Sequence, residues 1–154
     1  MKLRIIQVGR TKEDWLKQGI EEYRKRLRAF VKLDVTEVPD TSLRVAGDIA
    51  TVKSREAALC LKQIGPDDYL VLLDETGEMK TSLEFSAFLA TLSAEKTVVF
   101  LSGGVYGADP QLKARANLCL SLSAMTFTHQ MVRLILIEQI YRALMIHHNR
   151  AYHY

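Results

Sequence analysis

Two short runs constrain this chain most. Tyr69-Leu70-Val71-Leu72-Leu73 and Thr97-Val98-Val99-Phe100-Leu101 are almost free of polar side chains. Runs of this kind suit central strands covered on both faces. Helical and strand patterns alternate around them. Residues 2–9 read as a strand. Thr11, with Asp14 three residues on, reads as a capping box opening a helix whose apolar face is Leu16, Ile20, Tyr23, Leu27 and Phe30. A second strand spans 33–38 and stops at Pro39-Asp40, and the stretch holding Thr41, Ser42 and Gly47 reads as a loop. A helix over about 48–64 ends at Gly65-Pro66. Asp74-Glu75-Thr76-Gly77 reads as a loop closing the third strand, and Thr81 with Glu84 makes another capping box. A short helix over 110–116, a fifth strand over 118–122 and a long helix over 129–146 complete the order. The fold class predicted is α/β with a largely parallel sheet.

Length and composition bear on the domain count. The chain has 154 residues, 48% hydrophobic and 25% charged, which suits one compact domain over 1–154. No apolar run reaches bilayer length, and the charged first ten residues do not read as a secretory signal. Cys60 and Cys119 sit in apolar runs and are expected to be free thiols in a reducing cytosol. Residues 111–154 carry five Lys/Arg against one Asp/Glu, while 51–110 carry five against nine. A basic end beside an acidic middle suggests an anionic partner.

Three stretches could carry chemistry. Gly103, Gly104 and Gly107 follow a buried strand, where glycines let a ligand approach the backbone. The pattern is neither the dinucleotide fingerprint nor a P-loop, and a plain tight turn explains it as well. The helix from Met131 to Ile146 is apolar on nearly every side, so a second copy of the chain is expected to cover it. Within it Glu138 and Arg142 are four apart and can pair. The tail 147–154 is dense in His, Arg and Tyr, which suits RNA contact or proton transfer, or else is a frayed terminus. A zinc site from His129, His147, His148 and His153 lacks any recognised motif.

Taken together, the blocks LLDETG (72–77), FLSGGVYG (100–107) and LSLSAMTFTHQ (120–130) become recognisable. With Arg133, Glu138-Gln139, Tyr141-Arg142-Ala143 and the terminal Tyr152-His153, the chain resembles the ribosomal RNA large subunit methyltransferase H family of the SPOUT superfamily. The resemblance spans the chain and is densest over 69–154. It implies a SPOUT fold with a C-terminal trefoil knot, a homodimer, a cytoplasmic location, and no membrane or DNA partner. It implies S-adenosylmethionine as cofactor, held by Leu73, Gly104, Ser123, Ala124, Met125, Thr126, Phe127 and Thr128. The implied reaction is methylation at N3 of a pseudouridine in 23S rRNA, in helix 69 of the assembled ribosome. Alternatives are a SPOUT methyltransferase acting on tRNA and a non-catalytic RNA-binding protein of the same fold. Thr128, Ala151 and Tyr154 depart from the family, which usually has proline, proline and a cation there.

Methyl transfer from a sulfonium is mostly a positioning problem, and the imide N3 must also lose a proton. The candidates for that proton are His153 and Tyr152, then His129, with Arg142 and Arg133 orienting or neutralising.

Overall fold

The computed structural model describes residues 1–92 and 96–154. The elements in order are β1 (Lys2–Val8), α1 (Asp14–Leu27), β2 (Lys32–Val38), α2 (Leu43–Ala46), α3 (Ile49–Leu61), β3 (Tyr69–Met79), α4 (Ser82–Thr91), β4 (Thr97–Ser102), α5 (Pro110–Arg115), β5 (Leu118–Ser121) and α6 (His129–His147). The strands form one sheet in the order β2-β1-β4-β3-β5, with each of these pairings parallel.

The two apolar runs occupy the sheet centre, and strand alternation explains why both faces must be covered. Val71, Leu73, Val98 and Phe100 point to one face, where α1, α4 and α6 pack. Leu70, Leu72, Val99 and Leu101 point to the other, against Ala57 and Cys60 of α3 and Leu112 of α5. Each large side chain buried this way contributes roughly 1.5–3 kcal/mol. Cys60 is a buried free thiol whose pKa is pushed up to about 12, first by burial and then by the nearby Glu56 carboxylate. Cys119 is free and half-buried.

Several expectations are corrected. Thr11 does not cap α1: the cap position is Glu13, which makes no side-chain cap bond. Thr11 is buried, and its Oγ1 accepts from Arg133 Nη1 at 3.0 Å. The loop expected between β2 and α3 contains α2, capped by Ser42 and ended by Gly47 at φ 91°. The expected loop at 74–77 lies inside β3. Asp74 Oδ1 does accept the Thr76 N–H at 2.9 Å, as in a turn, but the strand resumes and pairs Glu78 and Met79 with β5 across a bulge. Gly77 is required there, because a Cβ would lie 2.6 Å from the Cys119 backbone.

The long helix α6 is largely covered by its own chain. Leu136, Ile137, Ile140 and Ala143 are each 1% exposed or less, packed beneath α1 and α4. The tail is anchored at Arg150 and Tyr152 and fully exposed at Tyr154. Asn149 at φ 51° reverses the chain, the Arg150 N–H donates to the Met145 carbonyl, and the Tyr152 ring sits 4.8 Å from that of Tyr141. Among the described residues no helix is long and apolar enough to cross a membrane, and no cluster of metal-ligating side chains occurs.

Candidate functional site

In a parallel α/β sheet, ligands bind beyond the carboxyl ends of the strands, where loops and helix N-termini meet. Here the ends of β3, β4 and β5 open onto a cavity of about 680 Å³. Leu73 closes one side. The turn 102–107 forms another, and the loop 123–128 with the first turn of α6 forms the third.

Local chemistry sets each wall. Gly103 lies against the Gly107 backbone, 2.8 Å from where a Cβ would stand, and Gly107 takes φ 85°. These two glycines fold the turn back on itself, with the Gly107 N–H donating to the Gly104 carbonyl at 3.1 Å. The loop 123–128 is shaped by its own hydroxyls. Ser123 Oγ accepts the Met125 N–H at 2.9 Å, and Thr126 donates to Glu75. Thr128 caps α6 by accepting the Met131 N–H at 3.2 Å. Met125 and Phe127 remain exposed at the mouth.

Charge is arranged at the β3 end. Asp74 is paired with Lys113 Nζ at 2.7 Å. Burial pushes its carboxyl up, but hydrogen bonds from Lys113 and Thr76 outweigh it and hold the pKa at about 2. Ser102, at the end of β4, is buried, and its hydroxyl has no partner among the described residues. A buried hydroxyl without a partner is costly, and on a cavity wall it suits a polar ligand atom. The wall thus combines apolar surface, close backbone and a spare hydroxyl, which fits an adenosine-bearing cofactor.

The sequence-derived residues divide in two. Leu73, Gly104, Ser123, Met125, Thr126, Phe127, Thr128 and His129 line the cavity together. Ala124, in the same loop, is exposed and outside the lining. Gly104 contributes differently from expectation: a side chain there would meet Glu56 Oε1 at 2.6 Å, behind the turn, rather than fill the cavity. His129 is held below the usual histidine pKa, first by burial, then by Arg133 and Lys12.

Tyr152, His153 and Arg142 form a second cluster. Arg142 donates twice to Glu138 Oε1, at 3.1 and 2.7 Å, and Tyr152 donates to the same oxygen at 3.1 Å. Arg142 Nη1 lies 3.4 Å from His153 Nδ1, and its guanidinium sits over the Tyr152 ring at 4.8 Å. Burial, then bonds to Tyr23 and Glu138, raises the Tyr152 pKa and keeps the phenol protonated. At 1.5 Å per residue, Glu138 and Arg142 lie about 13 and 20 Å along α6 from His129. Within one chain this cluster is not part of the cavity.

Sequence reasoning left Glu56 and Ser102 unremarked. Glu56 had a signal: it stands four residues from both Val52 and Cys60, on the buried stripe of α3. Ser102 had none beyond its place at a strand end.

The chain is similar to known proteins over its whole length. The family described as predicted SPOUT methyltransferases matches residues 1–153. A protein of Trichlorobacter lovleyi named ribosomal RNA large subunit methyltransferase H is 42% identical, with both chains covered in full. Proteins of the same name from Geobacter metallireducens and Natranaerobius thermophilus are 43% and 42% identical, each covering all of this chain and 99% and 100% of their own length.

Proposed function

This chain belongs to the SPOUT methyltransferase family, and from that premise we propose that it methylates N3 of a pseudouridine in large-subunit rRNA, using S-adenosylmethionine. The observation that carries the reading is the convergence of Leu73, Gly104, Ser123 and 125–128 on one cavity at the strand ends. When bound, the cofactor supplies an electrophilic methyl group on a sulfonium. The protein's residues do the rest. The turn 102–107 and the loop 123–128 hold the donor and exclude water around it, and Ser102 Oγ supplies a hydrogen bond from the wall. Positioning of two reactants in this way is worth roughly 7–11 kcal/mol. The region about 69–154 would hold the cofactor in the trefoil knot, and the cytoplasm, where ribosomes are, is the site of action.

The acceptor nitrogen carries a proton that must leave. His129 lines the cavity, and its lowered pKa leaves the imidazole neutral and able to accept. Tyr152, His153 and Arg142 reach a reacting base only if a second copy brings them, so we assign them to a homodimer in which one tail serves the partner's cavity. Ile135 on α6 remains partly exposed and is available to that contact, whereas Leu134 packs on Gly19 and Tyr141 on Tyr23 and Tyr152. A charge at Ile135 is the substitution that probes it.

The test is transfer of labelled methyl from S-adenosylmethionine to assembled ribosomes and to tRNA. Label on ribosomes alone supports the reading. Label on tRNA alone would favour a tRNA enzyme, and cofactor-independent RNA binding without transfer would favour a binding protein.

A further inference from the structure

A second, smaller cavity of about 180 Å³ lies beside the first, and the segment Gly104–Tyr106 and His129 line both. It is about a quarter of the size of the first. Its floor is Glu56. That side chain is 5% exposed, and its Oε2 accepts the Thr41 N–H at 3.0 Å. Its Oε1 has no hydrogen bond among the described residues and lies 2.6 Å from the place of a Cβ on Gly104. Gly104 has no left-handed φ, so the glycine is there to leave room for the carboxylate. Burial, opposed by the Thr41 bond and aided by Asp40, raises the carboxyl pKa. Oε1 is thus open toward the cavity, where its lone pairs can accept from a ligand donor.

The rim has the opposite polarity. Arg10 and Lys12 are exposed, and their side chains have no partner among the described residues. The loop that carries them is clamped to α6. Gln130 Oε1 accepts the Lys12 N–H at 3.0 Å, and Gln130 Nε2 donates to the Arg10 carbonyl at 3.0 Å. Buried Arg133 donates to the Val8 carbonyl at 2.6 Å and to Thr11 Oγ1. Asp40, beside Gly9, is the exposed counter-charge within the same cavity. An acceptor inside and held cations outside match a nucleotide, whose base edge carries N–H donors and whose phosphate is anionic.

We propose that this smaller cavity is a nucleotide subsite for the RNA substrate, in which Glu56 accepts a base N–H and Arg10 and Lys12 hold the adjacent phosphate. The inference rests on the RNA reading above. It assigns a recognition role to the N-terminal loop and α3, apart from the cofactor cavity and the tail.

The experiment is a salt titration of ribosome binding by wild type, R10A/K12A and E56Q, with S-adenosylmethionine affinity measured alongside as a check on folding. Glutamine can still accept the Thr41 N–H. R10A/K12A should flatten the slope of log K against log salt by about 0.7–0.9 for each phosphate no longer neutralised. E56Q should bind ribosomes about ten-fold more weakly with an unchanged slope, the size expected for one base contact. Both should bind S-adenosylmethionine within two-fold of wild type. A wild-type slope in the double variant, or wild-type ribosome affinity in E56Q, overturns the subsite while leaving methyl transfer to rRNA standing. If wild type binds no ribosomes, the RNA reading falls, and uridine 5′-monophosphate then decides the subsite. Amide shifts at Thr41 and Gly104 that vanish in E56Q support it, and their absence overturns it.

Discussion

Gly104→Ala puts the close approach to Glu56 to a quantitative test. The added Cβ would stand 2.6 Å from Oε1, 3.2 Å from Cδ and 3.3 Å from Oε2. The first distance is far inside van der Waals contact, so one partner must move. Glu56 borders the smaller cavity and has room to swing, but a swing gives up the Thr41 N–H that its Oε2 holds. Moving it leaves that N–H unpaired, about 1–3 kcal/mol, and keeping it strains the packing by a similar amount. Against this stands the usual gain of about 0.4–1 kcal/mol when alanine replaces a glycine of ordinary φ. The net loss expected is roughly 1–2 kcal/mol. In an E56A background the obstruction is gone, and the same substitution should be neutral or stabilising by about 0.4–1 kcal/mol. Urea unfolding of the four proteins closes the cycle, with a coupling of about 1–3 kcal/mol expected. Additivity to within about 0.5 kcal/mol would refute the reasoning, since residues that share no partner add to that degree.

The Asp74–Lys113 pair and the tail can be tested separately. Asp74 has a folded pKa of about 2 against an ordinary 3.8, so its pairing stabilises the fold above the unfolded value and is lost as pH falls through that interval. The difference corresponds to at most about 2 kcal/mol, shared between half-exposed Lys113 and the two Thr76 hydrogen bonds, so Lys113→Met should shift the acid unfolding limb to higher pH by part of it, as read by circular dichroism; an unmoved limb would show the pair contributes nothing. Deleting residues 150–154 removes Tyr152 from Tyr141 and Glu138 but touches no wall of the large cavity. Calorimetry should find S-adenosylmethionine affinity within a few-fold of wild type, while ribosome methylation drops by an order of magnitude or more; full-rate methylation would leave the tail without a role in RNA binding or catalysis.

How much of the fold is legible in the sequence depends on the range of the interactions involved. The β-α alternation is readable because the runs at 69–73 and 97–101 are dictated by burial on both faces. Capping boxes divide for a physical reason. Thr81 and Glu84 bond each other as expected, whereas Thr11 is claimed by Arg133, distant in sequence by most of the chain. The strand beyond Leu73 is hidden because Asp74-Thr76 does form a turn, locally, inside a bulge that only β5 makes visible. The covering of Ile137 by α1 and α4 is likewise invisible, since an all-round apolar helix does not say whose surface covers it. The residues expected from the motif blocks to hold a cofactor fall together in one cavity apart from Ala124. The pairing of Glu138 with Arg142 follows from their spacing, but the distance of that cluster from the cavity follows from helix length and from no motif.

The most direct test of the central claim is mass-spectrometric mapping of ribosomal RNA after reaction. Ribosomes from cells lacking this gene are incubated with the purified protein and S-adenosylmethionine, and the large-subunit RNA is digested and sequenced. The account predicts one new methyl group, on N3 of a pseudouridine, absent when His129 is replaced by alanine or when cofactor is omitted. A methyl group on tRNA instead, on a ribose or an unmodified uridine, or no transfer at all to ribosomes, would contradict it.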